Sequence, residues 1–213
     1  MHEITTACAE RKRKRGDNPS DKLNNPLIAL QAAPGTWKLT SLDLIGLLIG
    51  KSEIIDVIAK QNSTPRDLEM ADILSKSVPI MVTYNSHTPF TSDMEGTDSE
   101  RGLALRVLFS FFYMRSSNFY AFAKAFGSGV LSLRNALSIV QSSLPKTHTG
   151  IFLGVDELIK AGRTGTIKDT RVADVLSSID NAFNVLGGFN ALVTTLDQAP
   201  VLQEKTKSGR PII

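Results

Sequence analysis

Three histidines, one cysteine and scattered carboxylates are the raw material for catalysis in this 213-residue chain. His2, His87 and His148 stand far apart, and none has a second His or Cys at metal-ligand spacing. Cys8 has no partner pattern for nucleophilic catalysis. A lone cysteine also excludes an internal disulfide framework and points to a reducing compartment. Asp156 and Glu157 are adjacent, so on a helix they face different ways and make no paired-carboxylate site. Ser128, in Gly127-Ser128-Gly129, lacks the strand-turn-helix frame of a nucleophile elbow. The expectation is a non-enzymatic protein with no catalytic residues, no metal ligands and no cofactor.

Two stretches touch on nucleotide chemistry. Gly46-Leu47-Leu48-Ile49-Gly50-Lys51-Ser52 approaches a phosphate loop, but that motif needs four residues between its first glycine and the Gly-Lys pair. Here only three intervene, and they are Leu-Leu-Ile. A helix ending at Gly50, with Lys51 favouring its C-terminus, fits better. Ile151 to Asp156 resembles an apolar strand ending in a metal-binding aspartate. The whole of 151–161 also reads as a helix after an apolar start.

The cations are more informative. Arg11, Lys12, Arg13, Lys14 and Arg15 are consecutive on a polar segment. Such a run lies extended in the acidic groove of a nuclear import receptor, or attracts phosphates and anionic lipid head groups. A second candidate set is Arg101, Arg106, Arg115, Lys124 and Arg134, a basic row on helices for RNA. Eight of the fourteen aromatics fall within 109–126, where Arg115 and Lys124 would flank any base-stacking rings. A packed core is the preferred reading of that cluster, and an oligomer face for part of it comes second. Ser92-Asp-Met-Glu and Thr97-Asp-Ser-Glu place hydroxyls before acids, a pattern that suits acid-directed kinases.

Charge is uneven. Residues 1–25 carry six basic and four acidic groups, and 201–213 carry three and one. The remaining 175 residues hold 15 basic and 16 acidic groups. The body as a whole therefore lacks the basic surface of a general nucleic-acid coat, while a local basic groove stays open. The N-terminus lacks the apolar core of a secretory signal. The longest apolar stretch, Leu103 to Met114, contains Arg106 and falls short of the roughly 20 residues that span a bilayer.

Periodicity predicts mostly helices. Residues 52–60 set Ile54, Ile55 and Ile58 on one face. Thr64-Pro65-Arg66-Asp67 is a helix start. Further helices are predicted from Gly102, over Asn118–Phe126, over Val130–Ser142 and over 170–186, with one more helical turn set from Phe189 to Leu196. Ser41–Ile49 reads as a helix capped by Ser41, after a short strand at Thr36–Thr40. Val78–Tyr84 is the best strand candidate, confined to an edge by Pro79. Residues 85–101 read as a surface loop. The fold class expected is mainly α: a compact multi-helix domain over 27–197 with at most one small β element. A flexible basic arm, 1–26, and a polar tail, 198–213, complete it.

Ser99-Glu100-Arg101-Gly102-Leu103, between a polar loop and a cationic apolar helix, is similar to a short stretch of orthomyxovirus-type matrix proteins. The small helical body and basic arm resemble matrix proteins of negative-strand RNA viruses in general. The resemblance implies a viral structural protein that self-associates as a homo-oligomer. It further implies contact with a nucleocapsid, peripheral contact with anionic membrane, and passage through host nucleus, host cytoplasm and virion. The alternatives are a coat or nucleocapsid protein that binds RNA, and a nuclear regulatory adaptor.

Overall fold

A computed structural model describes residues 28–31, 38–61, 63–84, 88–95, 98–113, 118–127, 129–161, 170–185 and 189–195. Four strands form its centre: β1 Ile28–Gln31, β2 Ser77–Thr83, β3 Gly150–Asp156 and β4 Phe189–Thr195. They make one sheet in the order β1-β4-β3-β2, and every pairing is parallel. The mainly α expectation is therefore corrected to an α/β fold. The reason lies in β3, Gly-Ile-Phe-Leu-Gly-Val-Asp, whose seven residues are all buried. A parallel strand covered on both faces shows a continuous apolar run rather than alternation. That run also suits a buried helix, so the helix expected over 151–161 and the helical turns from Phe189 are overturned. The strand expected at Thr36–Thr40 is corrected too, since Lys38 to Thr40 belong to a helix.

Among the described residues, seven helices longer than one turn flank the sheet: α1 Lys38–Leu48, α2 Glu53–Ala59, α3 Pro65–Ser75, α4 Ser99–Tyr113, α5 Phe119–Phe126, α6 Leu133–Ser142 and α7 Thr170–Val185. Local chemistry starts several of them. Thr64 and Asp67 form a reciprocal capping box with Pro65 at the first turn of α3. Asn118 and Ser132 cap α5 and α6 through their side chains. Gly50, at φ +80°, terminates the α1 segment and donates its N–H to Leu74 O at 3.0 Å.

The two helical layers occupy opposite faces. Helices α1 to α3 bury Leu42, Ile45, Ile54 and Leu74 against Phe152 and Leu192. Helices α4 to α7 bury Leu103, Leu137 and Leu176 against Leu153 and Val193. Phe152 and Leu153 are neighbours on β3 and so point to different faces. The path from β1 to β2 crosses the whole sheet, and the path through β3 to β4 returns. Right-handed crossovers put outward and return connections on opposite faces, which is the layering seen here.

Strand β2 is an edge strand, as Pro79 requires. Tyr84 N–H donates to Asp156 O, and Thr149 N–H donates to Lys76 O, so even-numbered residues of this segment bond toward β3. Pro79, Met81 and Thr83 then face the free edge. Pro79 has no N–H to offer. Met81 O accepts from Ser110 Oγ at 3.0 Å, and Thr83 O accepts from Arg106 Nη1 at 2.7 Å. The edge is closed against another strand by these side chains.

The surface loop expected at 85–101 is corrected in part. Ser92–Glu95 is a single helical turn, Ser99 opens α4, and Glu95 is fully buried. Most of the aromatic cluster packs on the core: Phe119 is buried, and Phe109, Phe111, Tyr120 and Phe122 lie against it. Phe112 and Phe126 remain about half exposed. Among the described residues no helix is long and apolar enough to cross a membrane.

Candidate functional site

Three adjacent strands end in side chains that meet at the carboxyl edge of the sheet. Inner strand β3 ends in Asp156, which is only 3% exposed. Its Oδ1 accepts a hydrogen bond from Thr194 Oγ1 of β4 at 2.6 Å. Its Oδ2 accepts one from Thr83 Oγ1 of β2 at 3.3 Å, and Thr83 lies directly opposite Asp156 in the register. The result is a buried carboxylate between two hydroxyls supplied from 73 residues upstream and 38 downstream.

The next residue is conformationally unusual. Glu157 has φ 52°, the one positive φ outside glycine among the described residues. That region costs an L-residue on the order of 1–2 kcal/mol. Three bonds hold it. Glu157 N–H donates to Thr194 Oγ1 at 3.3 Å, Lys160 N–H donates to Glu157 O at 2.8 Å, and Lys160 Nζ meets Glu157 Oε2 at 2.7 Å. The strained turn leads into a 3₁₀ turn at Leu158–Ala161 and keeps a second carboxylate beside the edge. Strain of this kind concentrates at binding and catalytic positions.

Topology marks the same place. The chain leaves β1 toward one face, into α1, and leaves β3 toward the other, into α7, with β4 between them. In open parallel sheets, ligands bind outside the carboxyl ends of the strands at such a reversal. Asp156 and Thr194 border it. No cluster of three or more His, Cys, Asp or Glu suited to a metal occurs among the described residues. A cation here would take oxygens from its own ligand and from water, the usual habit of magnesium.

The basic row does not form one exposed strip, because Arg101 and Arg106 are buried. Arg106 is 4% exposed, and all five of its N–H groups are engaged. Nε and Nη2 grip the two Glu95 oxygens at 2.9 and 2.7 Å. Nη1 serves Thr83 O and Thr88 O, and Nη2 also serves Pro89 O. Its guanidinium lies 4.2 Å from the Tyr84 ring centroid and 4.5 Å from that of Phe119. Burial pushes the Tyr84 hydroxyl well above its ordinary value, against the opposing pull of Arg106. Arg101 is also buried and donates to Gly127 O and Gly129 O. Lys124 and Arg134 are exposed on α5 and α6. Arg115 and the run Arg11, Lys12, Arg13, Lys14 and Arg15 lie outside the described residues.

The matrix-like pentapeptide has an internal use for several of its members. Glu100 Oε1 accepts from Leu133 N–H and so caps α6, Arg101 ties down the α5–α6 connection, and Gly102 leaves room for Glu95. Gly46 to Ser52 spans the C-terminal end of α1, away from any strand-to-helix turn, so it is no phosphate loop. The sequence offers Asp156 as a strand-ending acid only as the lesser reading beside a helix over 151–161. Sequence reasoning missed Thr83 and Thr194, whose proximity depends on strand register, and Glu95, which sits in a polar stretch. Comparison with protein-family models, with curated proteins and with solved structures finds no match to this chain.

Proposed function

We propose that this chain is a ligand-binding α/β domain whose site surrounds Asp156, and that its ligand is a magnesium-bound nucleotide or similar polyphosphate. The observation that carries the reading is the buried carboxylate, flanked by two strand-end hydroxyls and followed by a left-handed glutamate, at the reversal point of a parallel sheet. The chain shares one feature with phosphate-cradling units, a lysine where a helix follows the first strand, and lacks their other signature residues. Units that cradle phosphates run strand, G-x-x-x-x-G-K-[ST], helix. Between β1 and α1 this sequence reads Ala32-Ala33-Pro34-Gly35-Thr36-Trp37-Lys38-Leu39. It keeps the lysine at the helix start. It has Ala32, Trp37 and Leu39 where the pattern has glycine, glycine and a hydroxyl residue. Residues 32–37 lie outside the described residues. Without those glycines and that hydroxyl, phosphate and magnesium would be held less fully, so the reading is binding rather than turnover.

The test is titration of a fluorescent adenine or guanine nucleotide with magnesium present or chelated. The expected result is saturable, magnesium-dependent binding that Asp156→Asn weakens on the order of 10- to 100-fold, the range seen when a group supporting a metal is removed. No binding at millimolar nucleotide, or binding indifferent to both chelator and Asp156→Asn, would refute the proposal. A viral matrix-like role keeps one supporting feature, the run Arg11–Arg15, since the mainly helical body it also rested on is replaced by the sheet. Its test is whether deleting 1–16 abolishes binding to anionic vesicles, RNA and an import receptor.

A further inference from the structure

A cavity of about 250 Å³ lies along the free edge of β2, under α4 and the start of α5. It is independent of the nucleotide reading. Val82, Phe109 and Phe119 line it on the apolar side, and Thr83, Thr88, Arg106 and Ser110 are its polar lining residues. We infer that this cavity binds a small, flat, uncharged molecule of the indole or phenol class, whose single N–H or O–H donates to Ser110 Oγ.

Size sets the first limit. An apolar cavity of roughly 150 Å³ accepts benzene, so this one accommodates a ring system about the size of indole. Charge sets the second. Among the described residues Arg106 is the only ionisable side chain in the lining, and it is already paired with Glu95 through both carboxylate oxygens. A charged ligand would find no counter-ion and would lose its hydration. Hydrogen-bond polarity sets the third. All five Arg106 N–H groups are committed, so an acceptor on the ligand gains nothing from them. Ser110 is buried and gives its one proton to Met81 O at 3.0 Å. Its oxygen lone pairs meet no donor among the described residues, and the Thr83 and Thr88 hydroxyls of the lining already give their protons to Asp156 Oδ2 at 3.3 Å and Thr83 O at 3.2 Å, so the cavity offers acceptors and asks for a donor. The edges and faces of Phe109 and Phe119, which are already 5.5 Å apart at their centroids, favour an aromatic body over an aliphatic one.

The experiment is an NMR titration of the full chain, following the Val82 methyl signals. The probes are indole and indene, which has the same shape without the N–H. The expected result is saturable shifts at Val82 with indole, and binding about fivefold weaker for indene, the size of one neutral hydrogen bond. Ser110→Ala should weaken indole by a similar factor and leave indene unchanged. The absence of saturable shifts with indole overturns the inference. So does equal affinity for indole and indene on the unaltered protein, a comparison that needs no variant to fold.

Discussion

Replacing Arg106 by Met keeps an apolar stem between Tyr84 and Phe119 and removes the charge. Among the described residues, Glu95 then remains fully buried with only Thr91 N–H, at 3.0 Å, still donating to its carboxylate. The pair is 4% and 0% exposed, so solvent screens almost nothing. Breaking such a pair from one side costs about 3–5 kcal/mol. Total stability for a domain is about 5–15 kcal/mol, so the loss is a large part of it. At roughly 2–4 °C per kcal/mol for a chain of this size, Tm should fall by about 6–20 °C. The fall also reflects three lost carbonyl contacts, to Thr83, Thr88 and Pro89. Thermal and urea unfolding followed by circular dichroism would measure it. Adding Glu95→Gln should return part of the loss, because the stranded charge is gone while an acceptor for Thr91 N–H remains. Two results would refute the reasoning. One is Arg106→Met within about 1 kcal/mol of the unaltered protein. The other is a double variant as unstable as the sum of the two singles, which would mean that the residues are not coupled.

Gly154 faces Met81 across the β2–β3 pair, and a Cβ there would collide with Met81 Sδ and come within 3.1 Å of Leu42 Cδ1. Gly154→Ala should cost about 1–3 kcal/mol by overpacking, read from urea midpoints, and Met81→Ala in the same chain should recover part of it. Burial raises the Tyr84 hydroxyl above its ordinary value near 10. The unfolded chain gives up this proton as pH passes about 10, while the folded chain retains it. The stability tied to neutral Tyr84 is therefore intact below pH 10 and declines above it. Tyr84→Phe should make that alkaline decline shallower in a series of unfolding midpoints.

Legibility divided along the range of the interactions. The capping box at Thr64 and Asp67, the amphipathic stripe of α7 and the edge position of Pro79 are set by neighbours within a few residues. Each is visible in the sequence. Strands β3 and β4 are not, because their burial on both faces removes the two-residue alternation that marks a strand. The apolar start of β3 continues into Glu157-Leu158-Ile159-Lys160, which strengthens a helical reading of the whole. The site suffers from the same blindness. Asp156 stands out as an acid after an apolar run, but nothing local shows that Thr83 and Thr194 flank it. Arg106 looks like one member of a basic row until its partner Glu95, eleven residues earlier, is seen packed against Gly102. Cations that look available in sequence can be consumed inside the fold.

The most direct test of the central claim is equilibrium binding of a magnesium nucleotide to the unaltered chain and to Asp156→Asn, both checked for intact folding by circular dichroism. Asp156 as the cation-holding carboxylate predicts saturable binding to the former, lost on chelation, and at least tenfold weaker binding to the latter. Equal affinity of the two folded proteins, or no binding to either, would contradict it.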